Sequence, residues 1–203
     1  RDQIGAADLP ALRARASRPG VCAIGEFGLD YFYGSDTRRQ QRALVDRQLE
    51  LAADLAKPVV FHSRDATEDT LAALGAFSQQ WHANASPSPC GVLHCFTLDR
   101  ATAEALISLD FFISFSGILS FANADPLREV ARALPLSSLL VETDSPFLAP
   151  RPHRGQRNEP KFAARVAEVL AETRGEPLEE VARATFANAC TLYRIAPPQG
   201  TET

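Results

Sequence analysis

Glu26, His62, His94 and Asp144 are separated by 36, 32 and 50 residues, and each stands at or near the end of a short apolar run: VCAIGE, PVVFHS, GVLHCF and LLVETDS. Mixed imidazole and carboxylate donors suit Zn, Mn or Fe, and carboxylates with water suit Mg. One histidine at the end of a strand is ordinarily a hydrogen-bonded structural group. Four such side chains in equivalent positions are different, because a buried carboxylate is costly unless it is paired or bound to a cation. His82, beside Trp81 in a polar stretch, lacks that setting and reads as a surface residue.

The elements that must position these groups follow from periodicity. Runs of β-branched and aromatic residues predict strands over 21–26, 58–63, 91–96, 111–117 and 139–145. Between and after them, helical patterns occupy 37–57, about 65–77, 99–109 and 126–134, then 158–175 and 177–195. ASPSP at 85–89 reads as a loop. Alternating strands and helices are the signature of βα units around a parallel sheet. In an α/β barrel the C-terminal strand ends share one face, so residues ~30 to 50 positions apart become neighbours there. The fold class is therefore α/β, with residues 1–203 forming one domain.

Gly25 and Gly28 flank Glu26 in IGEFGLD, where they allow a sharp turn or close approach of another group. After Asp144, the segment SPFLAPRPHRGQRNEP and the lysine that follows it present Arg151, His153, Arg154, Arg157 and Lys161 ahead of, and just inside, the helix expected from Asn158. Basic side chains at a helix N-terminus can hold an anion. A charge cluster by itself is usually a solvated loop; its place beside the acid and histidine cluster favours phosphate.

Composition narrows the partners. With 203 residues, a formal charge of −4 and a pI near 5.6, the chain lacks the excess of Lys and Arg that non-specific coating of nucleic acid requires. Cys22, Cys90, Cys95 and Cys190 form no CxxC or regular framework, which reads as reduced thiols in a cytoplasmic protein. No segment approaches the ~18 apolar residues of a membrane span, and the first twenty residues lack a signal-peptide h-region. There is no methionine, even at position 1, so the expectation is a piece of a longer chain.

In this order and spacing, IGEFGLDYF, PVVFHSRDA, GVLHCFT, FFISFSGILSF, LLVETDSPFLAP and PHRGQRNEP resemble the TatD family of metal-dependent hydrolases, from about Val21 to the final helix. The resemblance implies a TIM-type (β/α)8 barrel of the amidohydrolase kind. It also implies a two-metal site for Mg, Mn or Zn, and a deoxyribonuclease acting on DNA that is single-stranded or at 3′ ends. By motif, Glu26 would bridge two metals and His62 and His94 would complete one site. Asp144 would bind the other metal and orient or deprotonate the attacking water. Arg64, His153, Arg154 and Arg157 would hold substrate phosphate. The family's opening strand, with its His-x-His pair, and two further strands have no counterpart before Val21, so about five of eight barrel strands are expected, as in an N-terminal truncation. A metal-dependent deacylase or amidase on the same barrel, and an inactive fragment, are the alternatives, since fold does not fix substrate.

Overall fold

A computed structural model of the chain describes residues 8–33, 35–84 and 89–197. Five strands, β1 (Ile24–Asp30), β2 (Val59–Arg64), β3 (Gly91–Leu93), β4 (Phe111–Phe115) and β5 (Leu139–Val141), lie side by side in chain order. Every neighbouring pair is parallel. The helices are α1 (Leu9–Ala16), α2 (Arg38–Asp54), α3 (Thr67–Ala83), α4 (Arg100–Ser108), α5 (Asp125–Ala133), α6 (Ala163–Arg174) and α7 (Leu178–Tyr193). This is the order of five consecutive units of a (β/α)8 barrel.

Side chains alternate across a strand, and the two faces of this sheet bury different things. Val59, Phe61, Leu93, Phe111, Ile113, Phe115 and Leu139 join the large core with Leu49, Leu74, Trp81, Leu106 and Leu170 from the helices. The opposite face carries Val92, Phe112 and Leu140 with Val60, closed off by Leu192, Ala189 and Tyr193 of α7. Register aligns Val60 with Val92 and Val92 with Phe112. His62, His94 and Glu142 stand two residues further along the same face as Val60, Val92 and Leu140. Alternation, carried one residue past β3 and β5 by the His94 N–H on the Phe61 carbonyl and the Glu142 N–H on the Phe115 carbonyl, thus stacks a polar layer on an apolar one.

Several boundaries differ from expectation. The first strand starts at Ile24 and continues to Asp30, so Glu26 lies inside it. The third strand stops at Leu93, because Cys95 turns to a positive φ of 47° and donates its N–H to Glu142. The fifth stops at Val141, leaving Glu142 and Asp144 just beyond it. No element was expected before Val21, yet α1 forms there, tied to α2 by Arg13 and Asp54 and packing Leu12 and Ala16 on the core. Asn158 starts no helix: a 3-10 turn at Pro160–Phe162 precedes α6, while the Asn158 side chain is buried and bonded to the preceding loop. The stop at Gly175 agrees, with a left-handed φ of 67° at the C-cap. Most of the loop expected at 85–89 lies outside the described residues.

Candidate metal centre

Glu26 owes its position to an irregularity in β1. Ile24 pairs with Val59 but Phe27 with Phe61, so β1 spends three residues where β2 spends two. An extra residue of this kind is a β-bulge, which re-aims a side chain without ending the pairing. It also explains how Ile24 and Leu29, an odd number of positions apart, are both buried in one core. The flanking glycines are required by contact. A Cβ on Gly25 would meet Val60 Cβ at 2.6 Å, and one on Gly28 would lie 1.9 Å from the His62 carbonyl oxygen. Close approach of β1 to β2 is therefore possible only without side chains at these two positions.

Around Glu26 the polar groups converge. His62 Nδ1 is 3.4 Å and His94 Nε2 3.6 Å from Glu26 Oε1, and Asp144 Oδ1 is 3.5 Å from His94 Nε2. The other His62 nitrogen lies 3.8 Å from Asp30 Oδ2. His94 Nδ1 is held at 2.8 Å by Glu142 Oε1, whose carboxylate also accepts from Cys95 N at 3.1 Å and from Ser114 Oγ at 2.7 Å. Burial works against a charged His94, but hydrogen bonds to Asp144 and Glu142 and the charges of Glu142 and Glu26 outweigh it and raise its pKa to about 10. Among the described residues, no Lys or Arg pairs with Glu26, Asp30, Glu142 or Asp144. Four carboxylates that share two imidazoles and no Lys or Arg leave room for a further cation.

Residues 3–194 match the family described as TatD related DNase. A relative in Escherichia coli (strain K12), the uncharacterized metal-dependent hydrolase YcfH, is 47% identical over 189 residues, covering 93% of this chain and 68% of YcfH. The chain belongs to the TatD family of metal-dependent hydrolases. Another relative, the uncharacterized metal-dependent hydrolase YabD of Bacillus subtilis (strain 168), is 37% identical over 93% of this chain and 71% of its own. The crystal structure of YjjV, a TatD homologue from Escherichia coli K12, superposes with a TM-score of 0.86 at 34% identity, over 95% of this chain and 72% of that one. An uncharacterized amidohydrolase from Saccharomyces cerevisiae shares the fold, with a TM-score of 0.74 at 20% identity over 92% of this chain and 68% of its own.

The TatD donor set fits a divalent ion. Glu26, His62 and His94 each offer an atom within 4.8 Å of the others. Their separations of 3.4 and 3.6 Å to Glu26 exceed good hydrogen-bond length. They lie at or just above the ~3 to 3.5 Å between two donors that share an ion at ~2.1 Å. Asp144 borders the same set through His94. Two contributors were not singled out from the sequence. Asp30 was unmarked because the first strand was expected to end at Glu26. Glu142 falls within the expected strand LLVETDS, and its distance of two positions from Asp144 is the available signal.

The four residues expected to hold phosphate are placed less uniformly around this TatD centre. Arg64 lies at the end of β2, its guanidinium 3.9 Å from the Phe32 ring centroid and 5.0 Å from that of Tyr33. Arg154 stands 3.9 Å above Phe121 beside the loop that follows Asp144. His153 is stacked on Phe162 at 4.3 Å, and Arg157 is exposed. His82 lies at the opposite end of the strands with Cys90 and Asp110, each 3.9 Å from its Nε2. No helix among the described residues is long and apolar enough to cross a membrane.

Proposed function

We propose that this protein is a metal-dependent phosphodiesterase acting on DNA, an exonuclease that uses two divalent cations, Mg, Mn or Zn, and releases nucleotides from strand ends. One observation supports the choice of phosphate over a neutral amide: the guanidinium groups of Arg64, at the end of the strand that carries His62, and of Arg154, in the segment after Asp144, lie on aromatic rings with no carboxylate partner among the described residues. Arginine so left available matches a phosphate oxygen pair. Divalent cations held by Glu26, His62, His94 and Asp144 would polarise the phosphodiester and favour ionised water.

The protein's own groups do the rest. Glu142 holds His94 Nδ1 and so keeps Nε2 directed at Glu26 and Asp144. Asp144 accepts the proton of the attacking water at a carboxylate oxygen. Arg64 and Arg154, with Arg157 and His153 in support, fix the phosphate so that attack is in line, which is where positioning lowers the barrier.

The test is release of nucleotides from end-labelled single-stranded oligonucleotide in Mg or Mn, beside an N-acetylated amide substrate. Metal-dependent shortening of the oligonucleotide is expected. Cleavage of the amide without cleavage of DNA would replace this reading with a deacylase.

A further inference from the structure

Three of the large hydrophobic side chains most open to solvent sit on the loops next to the carboxylate cluster: Phe32 at 55%, Tyr33 at 59% and Phe147 at 68% exposure. Their backbones are not loose. Asp30 Oδ1 accepts from Phe32 N at 3.0 Å and Tyr33 N at 3.1 Å, while Asp30 Oδ2 faces His62. Phe147 N donates to the carbonyl oxygen of Asp144 at 2.6 Å. Asn158, 2% exposed, fixes the same turn by donating to the Phe147 carbonyl at 2.6 Å. Each aromatic residue is thus two or three positions, at most ~11 Å of backbone, from an acidic residue of the cluster, to which its backbone N–H is hydrogen-bonded.

Exposed aromatic rings whose backbones are anchored to the acids of the proposed phosphodiesterase centre have one obvious chemical complement, the face of a nucleobase. We propose that Phe147 and the Phe32–Tyr33 pair are base-stacking platforms for an unpaired strand passing over the metal centre; this rests on the phosphodiesterase reading above. Each group of rings has an arginine beside it. Phe32 and Tyr33 meet edge to face at 4.7 Å with the Arg64 guanidinium across them. Phe147 lines a recess of about 340 Å³ with Phe121, Leu148 and Arg154, whose guanidinium covers Phe121. In each, an aromatic surface adjoins a cation, so a base and its phosphate are met together. This is how proteins bind single strands without reading sequence. A duplex would have to fray for successive bases to reach the rings, because an interior pair is stacked on both faces and only the terminal pair has one open.

The experiment compares binding of a short single-stranded oligonucleotide with its abasic counterpart of equal length, by fluorescence anisotropy in calcium. The phosphates are identical, so the affinity ratio isolates the bases. The protein should favour the base-containing strand by about tenfold or more. Phe147→Leu, and Phe32→Leu with Tyr33→Leu, should each pull that ratio several-fold toward one, whereas Phe147→Trp should keep it. No preference in the parent protein, or an unchanged ratio in both leucine variants, would overturn the proposal. Cleavage of the labelled strand by the same samples separates the two claims. Metal-dependent cleavage without base preference sinks the platforms alone, and base preference without cleavage sinks the phosphodiesterase reading and leaves the platforms as a binding site.

Discussion

Glu142 Oε1 lies 2.8 Å from His94 Nδ1, so the histidine's remaining nitrogen, Nε2, is the one that faces Glu26 and Asp144. Glu142 is itself oriented by Ser114 and the Cys95 N–H. A carboxylate behind a ligating histidine fixes its tautomer and raises its basicity. Glu142→Gln should therefore weaken Mn binding by about tenfold, toward the low end of what loss of such a partner costs, while leaving the fold intact. Calorimetric titration with Mn, set beside circular dichroism, measures both; affinity within twofold of the parent would remove Glu142 from the centre.

Asp144→Asn keeps the shape of the side chain but cannot take a proton and is a poorer ligand. Turnover of oligonucleotide should fall by about 10²- to 10⁴-fold, the usual contribution of a positioned base. Thermal unfolding should barely move, because Asp144 is partly exposed beyond the end of β5. Near-normal turnover would mean that another group activates the water.

Gly28→Ala tests the close approach of β1 and β2. The added methyl would lie 1.9 Å from the His62 carbonyl oxygen, a backbone atom that cannot swing aside. Overpacking of this kind costs about 1 to 3 kcal/mol, and the higher figure is expected because the strand pairing must open. Urea unfolding should show the loss, and metal affinity should fall with it, since His62 shifts too. An unchanged midpoint would show that the bulge can relax.

Cys90 gives a pH dependence. Burial pushes its thiol up to about 12, helped by the charge of Asp110 and opposed by a hydrogen bond from Ser78. An acid whose pKa is raised on folding keeps its proton in the native state while the unfolded chain loses it. Stability is therefore complete below pH ~9 and declines as pH rises toward 12. Cys90→Ala should flatten that alkaline decline in denaturation midpoints measured from pH 8 to 11. An identical slope in parent and variant would show that the thiol does not contribute.

His62 and His94 were readable in the sequence because each ends a run of β-formers, and a parallel sheet with strand-to-strand crossovers sends such ends to one face. Five strands and their order followed from the same alternation, and Gly175 as a helix stop from its freedom at positive φ. The sequence by itself therefore determined the parallel α/β class and most of the donor set, since both depend on local periodicity. Tertiary structure alone decided the rest. The bulge at Glu26 is a register difference between two strands and leaves no periodic mark within one. Asp30 came to face His62 because β1 runs on past that bulge. Glu142 became the partner of His94 through a contact 48 positions distant in sequence. Arg64 turned to Phe32 and Tyr33, which no spacing rule links to it. Periodicity reports which face a side chain occupies, whereas its partner across the sheet is set by register and by where each strand turns away.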